Sequence, residues 1–259
     1  MNLSKYTEEM RKSMWDKSFF MDKIIGAKCV IDFGCADASM ICMLSEIFPS
    51  IDFFGYDNNP ELVKMARNNL DTAPANCCVI YDDKELSYLI GRIKRNYKPE
   101  EICINFSSVL HEVFSCSPSG KAAIKTLISE LNPKYITIRD MYYHESKTDN
   151  LMYVNESYTD ETMLKYMKDF EAIYGPITNM KNYLHFLMKY QWKDNDWQAE
   201  LNENYFSWTL DNLKTLFGPE YAIIFRNHYQ LPYLTELWSD MFFNPNLQTH
   251  VQLIFRRTE

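Results

Sequence analysis

KCVIDFGCADASM (residues 28–40) runs from an apolar strand straight into a turn of very small residues, and it carries an acid, Asp32, two positions before the first glycine. An unpaired charge at the end of a buried strand is expensive, so this carboxylate needs a partner. Small residues between a first strand and a first helix let the backbone approach a ligand closely. The turn Asp32-Phe33-Gly34-Cys35-Ala36-Asp37-Ala38 departs from the dinucleotide pattern G-x-G-x-x-G: it has one glycine, and a carboxylate precedes it. Asp32 and Asp37 would repel a pyrophosphate and attract an ammonium. The plainer alternative is a tight turn closed by a capping Asp.

Around that turn the chain alternates strand and helix. KCVIDF reads as strand one, SMICMLSEIF as helix up to Pro49, IDFFGYD as strand two and PELVKMARNNL as helix, with proline in a first helical turn. NCCVIYDD is strand three, KELSYLIGRIKRN a helix, EICINFSS strand four, SGKAAIKTLISEL a helix and KYITIRDM strand five. Short apolar strands separated by helices predict an α/β, doubly wound, mostly parallel sheet with right-handed crossovers. Residues 5–24 are expected to be helical. After Tyr142 the pattern shifts to helical runs rich in Met and aromatics: TDETMLKYMKDFEAIYG, with Thr159 as N-cap, then NYLHFLMKYQW, then FSWTLDNLKTLFG, stopped at Gly218-Pro219. YAIIFRNHY and HVQLIFRR close a seven-stranded sheet. One domain is expected over residues 1–259. It comprises an α/β core (25–150 and 219–259), a helical insertion (151–218) and an N-terminal lid (1–24).

At 259 residues, with 46% apolar and 24% charged residues, the composition is that of a globular protein with a sizeable core. The net charge of -8 argues against a broad phosphate-binding surface, because nucleic-acid affinity comes largely from Lys and Arg. Arg92, Lys94, Arg95 and Lys98 form the clearest basic cluster, read as a solvated helix face or as a contact for RNA. MNLSKYTEEMRKSMWDK has no apolar core of signal-peptide length, and no apolar run is long enough for a bilayer, so no membrane partner is expected. Seven cysteines without CxxC spacing point to a reduced, cytoplasmic protein.

FFGYDNNPELVKMARNN ends its strand at Asp57, with Asn58 beside it, a little over 20 residues past the turn. That is the interval at which an acid reading a ribose is expected. Alternatively, Asp57 opens the Asn-Pro turn into the next helix. DFGCADA and this second acid together resemble the class I S-adenosylmethionine-dependent methyltransferases, whose first motif is acid-x-Gly-x-Gly-x-Gly. Alanines stand here at the second and third glycine positions. The resemblance spans about residues 20–145 and the two closing strands. It implies S-adenosylmethionine as cofactor, with Asp32 at its methionine end and Gly34, Cys35 and Ala36 passing close beneath. It also implies Asp57 at the ribose, Asp82 at the adenine amino group (or as a helix N-cap), and Asn105, Phe106 and Ser107 lining the methyl-donor end.

Methyl transfer requires alignment of a nucleophile and, where needed, removal of its proton. The reaction centre is expected over the ends of strands one, four and five, where Asp140, Tyr142 and Tyr143 also fall. His111 is the first candidate base because an imidazole titrates near neutrality; Glu112 would orient it or bind a substrate cation, and His144 is the second candidate. HEVFSC has Ser115 where a HExxH zinc site needs a second His, so no metal is expected. The insertion and QLPYLTELWSDMFFNP are expected to wall the acceptor site. Tyr183, His185, Trp192, Trp197, Trp208, Tyr229, Tyr233 and Trp238 are either core or an aromatic pocket. A methyltransferase acting on an O or N atom of a small molecule is the leading reading. The alternatives are an RNA methyltransferase, a nucleotide-dependent oxidoreductase, and a non-catalytic cofactor-binding or partner-binding module.

Overall fold

The computed structural model describes residues 11–71, 73–74, 77–80, 83–144, 161–194, 196–232, 234 and 248–258. Its centre is a sheet in the order β3-β2-β1-β4-β5-β7-β6. β1 (Cys29–Phe33), β2 (Asp52–Tyr56), β3 (Cys78–Ile80), β4 (Ile102–Ser107) and β5 (Tyr135–Met141) run parallel. β7 (His250–Arg257) lies antiparallel between β5 and β6 (Tyr221–Tyr229). Every residue of β1 and β4 is buried, which is why both are largely apolar rather than alternating, with Asp32, Asn105 and Ser107 as their buried polar exceptions. The strand order reverses between β1 and β4, so the crevice above their carboxyl ends is the expected ligand position.

Local chemistry sets the helices that cover the sheet. Pro60–Leu70 starts at Asn59, whose side chain accepts from the amides of Glu61 and Leu62, with Pro60 in the first turn. Pro118–Leu131 is capped by Ser117 and ends at Asn132 in the left-handed conformation. Ser117 and Pro118 also end the short helix Leu110–Cys116, which carries His111 and Glu112. Thr209 and Asn212 form a reciprocal capping box at Leu210–Phe217, and Gly218 stops that helix at the expected place.

The apolar core has three parts. One face of the sheet packs on the helices Asp83–Asn96, Pro118–Leu131 and Leu210–Phe217. The other face packs on Ser39–Ile47, Pro60–Leu70, and Phe20 and Ile24. Met163, Phe170, Phe186, Leu187, Trp197 and Leu201 form a third cluster inside the insertion. The 151–218 segment therefore divides, with its last helix belonging to the sheet and the preceding helices to a core of their own. Among the described residues, the stretch expected to be helical over 5–24 is helical over Met14–Lys17 and continues in turns. Those turns are held locally by Ser18 Oγ on the Trp15 carbonyl and by Lys23 Nζ on that of Phe19. No described helix is long and apolar enough to cross a membrane.

Candidate functional site

Asp32, Asn105 and Thr137 are neighbours across three adjacent parallel strands, and register alone aligns them. Asn105 Nδ2 donates to Asp32 Oδ1 at 2.8 Å and to Ser107 Oγ at 3.2 Å, and Thr137 Oγ1 donates to Asn105 Oδ1 at 2.9 Å. Burial nonetheless dominates and lifts Asp32 to about 6, against the downward pull of the Asn105 hydrogen bond and of the Lys17 charge. Two residues further along β5 on the same face, Arg139 is buried, and its Nη1 donates to Ser108 Oγ at 2.7 Å. Its Nη2 is buried without a hydrogen-bond partner among the described residues.

The turn after β1 folds as a glycine-type turn although it has one glycine. Gly34, Ala36 and Ala38 all take positive φ, at 80°, 49° and 59°. Gly34 cannot be larger, since an added Cβ would lie 2.6 Å from Val109 Cγ2. The amides of Gly34 and Cys35 both donate to the Tyr56 carbonyl, and that of Ala36 to Asp57 Oδ2 at 2.9 Å. Turn amides engaged in this way are not offered to a phosphate, which agrees with the repulsion expected from the acids. Asp37 Oδ1 accepts from the Ser39 amide at the start of the next helix, and its other oxygen pairs with Arg11 at 2.8 Å. Asp57 joins the turn to the following Asn-Pro junction, accepting from Asn59 N through Oδ1. Burial raises its pKa.

The other cofactor-side candidates fall as follows. Cys35 turns its side chain into the core under Gly55, where a Cβ would meet Cys35 Sγ at 2.7 Å, so only its backbone faces the turn. The Phe106 ring is fully buried between Phe33 and Phe217. Asn58 is exposed beside Asp57, and Asp82 lies outside the described residues. The N-terminal segment lies over the polar face. Asp16 accepts from Arg139 Nε and Tyr229 OH, both at 2.6 Å, and from Gln252 Nε2 at 2.9 Å. It brings the buried Lys17 close to Asp32; burial, and next Arg139, pull that lysine down to about 7. Trp15 points outward, 74% exposed, and Tyr6 and Met10 lie outside the described residues.

On the opposite face, His111 and Asp140 form a buried pair. His111 Nδ1 lies 2.8 Å from Asp140 Oδ1, and the His111 amide donates to Asp140 Oδ2 at 3.1 Å. Burial would lower the imidazole pKa, but the Asp140 charge and hydrogen bond outweigh it and raise His111 to about 9. At neutral pH the residue expected to act as a base therefore holds its proton in this state. Burial among other carboxylates pushes Glu112 up to about 7, against the pull of His111. Glu203 completes a trio with these two, its carboxylate brought from the insertion to within 4.8 Å of both. No spacing rule inside HEVFSC reaches Glu203; the signal for it is tertiary.

His144 is not part of this group; its ring lies against His228 at 4.9 Å. Tyr142 packs on Trp208, and Tyr143 on Phe206. Tyr183, His185, Trp197 and Trp208 are buried and fill core rather than line an opening, while Tyr233 and Trp238 lie outside the described residues. In the basic cluster Arg92 lies over the Phe54 ring and Lys94 pairs with Glu130. The cluster immediately precedes β4, at the end of the sheet away from the crevice.

No protein-family model and no curated protein matches the chain. Solved structures match over nearly its whole length. The plantazolicin methyltransferase BamL, in complex with a triazolic desmethylPZN analog and SAH, is 13% identical with a TM-score of 0.51, covering 99% of this chain and 90% of its own. A methyltransferase in complex with the Haloferax volcanii Trm112 methyltransferase activator is 12% identical with a TM-score of 0.51, covering 97% and 92%. At this identity the likeness is one of fold: the chain shares the Rossmann-like α/β fold of these methyltransferase structures.

Proposed function

We propose that this protein is an S-adenosylmethionine-dependent methyltransferase acting on an oxygen or nitrogen atom of a small-molecule acceptor. The observation that carries the reading is the polar face at the strand ends. A buried carboxylate, Asp32, and a buried guanidinium, Arg139, with one donor unpartnered among the described residues, lie on one face of the sheet beside a turn whose amides are engaged. An amino-acid moiety presents an ammonium to the first and a carboxylate to the second, which a dinucleotide does not. When bound, S-adenosylmethionine supplies a methyl group already activated on a sulfonium.

The chain's own residues bind and orient. Asp32 takes the ammonium and Arg139 the carboxylate; Asp57 and Asn58 face the ribose; Asn105 and Ser107 keep Asp32 in place. His111 and Glu112 stand on the acceptor side. The segment before β1 acts as a lid pinned through Asp16, with Lys17 occupying the neighbourhood of the ammonium until the ligand arrives. A small acceptor is favoured over RNA because the basic cluster is at the far end of the sheet and the net charge is -8.

Calorimetric titration with S-adenosylmethionine, its demethylated product and NAD tests the reading. The first two should bind and NAD should not, and Asp57→Asn should weaken binding about tenfold through the loss of a charged acceptor. Failure of both nucleosides to bind would leave the fold without this chemistry and favour the non-catalytic module.

A further inference from the structure

The helix Leu110–Cys116 meets the insertion at a cluster that cofactor binding does not use. His111, Glu112 and Glu203 each bring one ligand-type atom to within 4.8 Å of the others. His111 is buried, and its Nδ1 is taken by Asp140. Its Nε2 lies 4.0 Å from Glu112 Oε1 and makes no hydrogen bond among the described residues. A histidine that donates one ring nitrogen to a carboxylate is fixed in orientation, and an ion arriving at Nε2 displaces the proton held there to take its lone pair, the arrangement found at metal-bound imidazoles.

The backbone at Glu203 is also anchored from several sides. The fully buried Lys189 donates to the backbone carbonyls of Glu200 and Glu203. Tyr174 OH donates to the carbonyls of Leu201 at 2.6 Å and Glu203 at 3.0 Å. Ser115, one turn after His111, exchanges hydrogen bonds with the backbone of Asn204, and Ser207 Oγ donates to the His111 carbonyl. Two elements far apart in sequence are thus locked together where the three ligand atoms converge.

We propose that His111, Glu112 and Glu203 bind a divalent first-row transition ion, with Asp140 orienting the histidine, and that the ion receives an oxygen atom of the methyl acceptor. Ligand atoms about 2.0–2.2 Å from an ion lie roughly 3–4 Å from one another, so side-chain shifts of about 1 Å close the cluster. One imidazole and two carboxylates suit Mn²⁺ or Zn²⁺ better than Mg²⁺ or Ca²⁺, which take oxygen ligands alone. Three protein ligands leave positions open, as in catalytic rather than structural sites. Glu112, whose side chain is 44% exposed, marks the open side. An acceptor hydroxyl entering there releases its proton to solvent. The electron pair of the O–H bond stays on the oxygen, which the ion stabilises as the nucleophile. The acceptor role rests on the methyltransferase reading; ion binding does not.

Equilibrium dialysis of the chelator-treated protein against Mn²⁺ and against Zn²⁺, with product-nucleoside calorimetry in parallel, tests the site. One ion per chain is expected, with affinity at least about tenfold lower in Glu203→Gln and in Asp140→Asn. Nucleoside affinity in Glu203→Gln should stay within about twofold. Absence of stoichiometric binding of either ion, or unchanged ion affinity in both variants, overturns the site. Should Glu203→Gln fail to fold by circular dichroism, Glu112→Gln on the exposed side carries the same comparison. Ion binding without nucleoside binding would remove the cofactor reading and leave the metal site standing.

Discussion

Gly34, Ala36 and Asp32 show how much one turn asks of single residues. Gly34→Ala sets a Cβ against Val109 at a positive φ, and should cost about 2–3 kcal/mol in chemical denaturation. Ala36→Gly should do the reverse, raising stability by up to about 1 kcal/mol, because its φ of 49° is one that L-residues resist. At Asp32 and Lys17 the signs oppose. Asp32 is raised to about 6, so its stabilising contribution is present below the ordinary value of 3.8 and lost as pH rises through 6. Lys17 is lowered to about 7, so its contribution is present above 10.5 and lost as pH falls through 7. A cationic ligand needs Asp32 ionised and Lys17 discharged. Affinity for the product nucleoside should therefore climb between pH 5.5 and 7.5, and Lys17→Met should bind more tightly at the acid end and flatten the upper half of that rise. A pH-independent affinity in the wild-type protein would separate Asp32 from the ligand.

Among the elements, the insertion has its own core and its own polar anchor. Lys189 reaches the carbonyls of Glu200 and Glu203, and its ammonium lies 4.0 Å from the centre of the Tyr205 ring. Lys189→Met keeps the apolar stem and removes the ammonium from both carbonyls, leaving the Glu203 amide on one and Tyr174 OH on the other, at a cost of about 1.5–3 kcal/mol, readable as a lower denaturation midpoint. Unchanged stability would mean that water replaces the ammonium. Gly218 was legible as a helix stop. The split of the insertion was not, because Trp208, Leu213 and Phe217 carry the same apolar spacing as Phe170 and Leu187. Periodicity reports that a face is buried and is silent about what it is buried against.

Across the whole molecule, Asp16 ties the N-terminal segment to β5, β6 and β7 at once through Arg139, Tyr229 and Gln252. Asp16→Ala should speed amide hydrogen exchange over residues 11–24 while the central strands keep their protection, as expected of a cover with lower local stability than the sheet. Equal loss of protection in β1 and β4 would make the segment an integral part of the core instead. The parallel sheet, the acid at the end of each of the first two strands and the small-residue turn were all determined by the sequence. They depend on local periodicity and on residues within a few positions of one another. Only the tertiary structure decided what those acids touch. Register across three strands set Asn105 on Asp32, strand pairing placed Asp140 behind His111, and a helical insertion carried Glu203 to the same point. Contacts between residues far apart in the chain depend on how packed elements align, and no local pattern encodes that alignment.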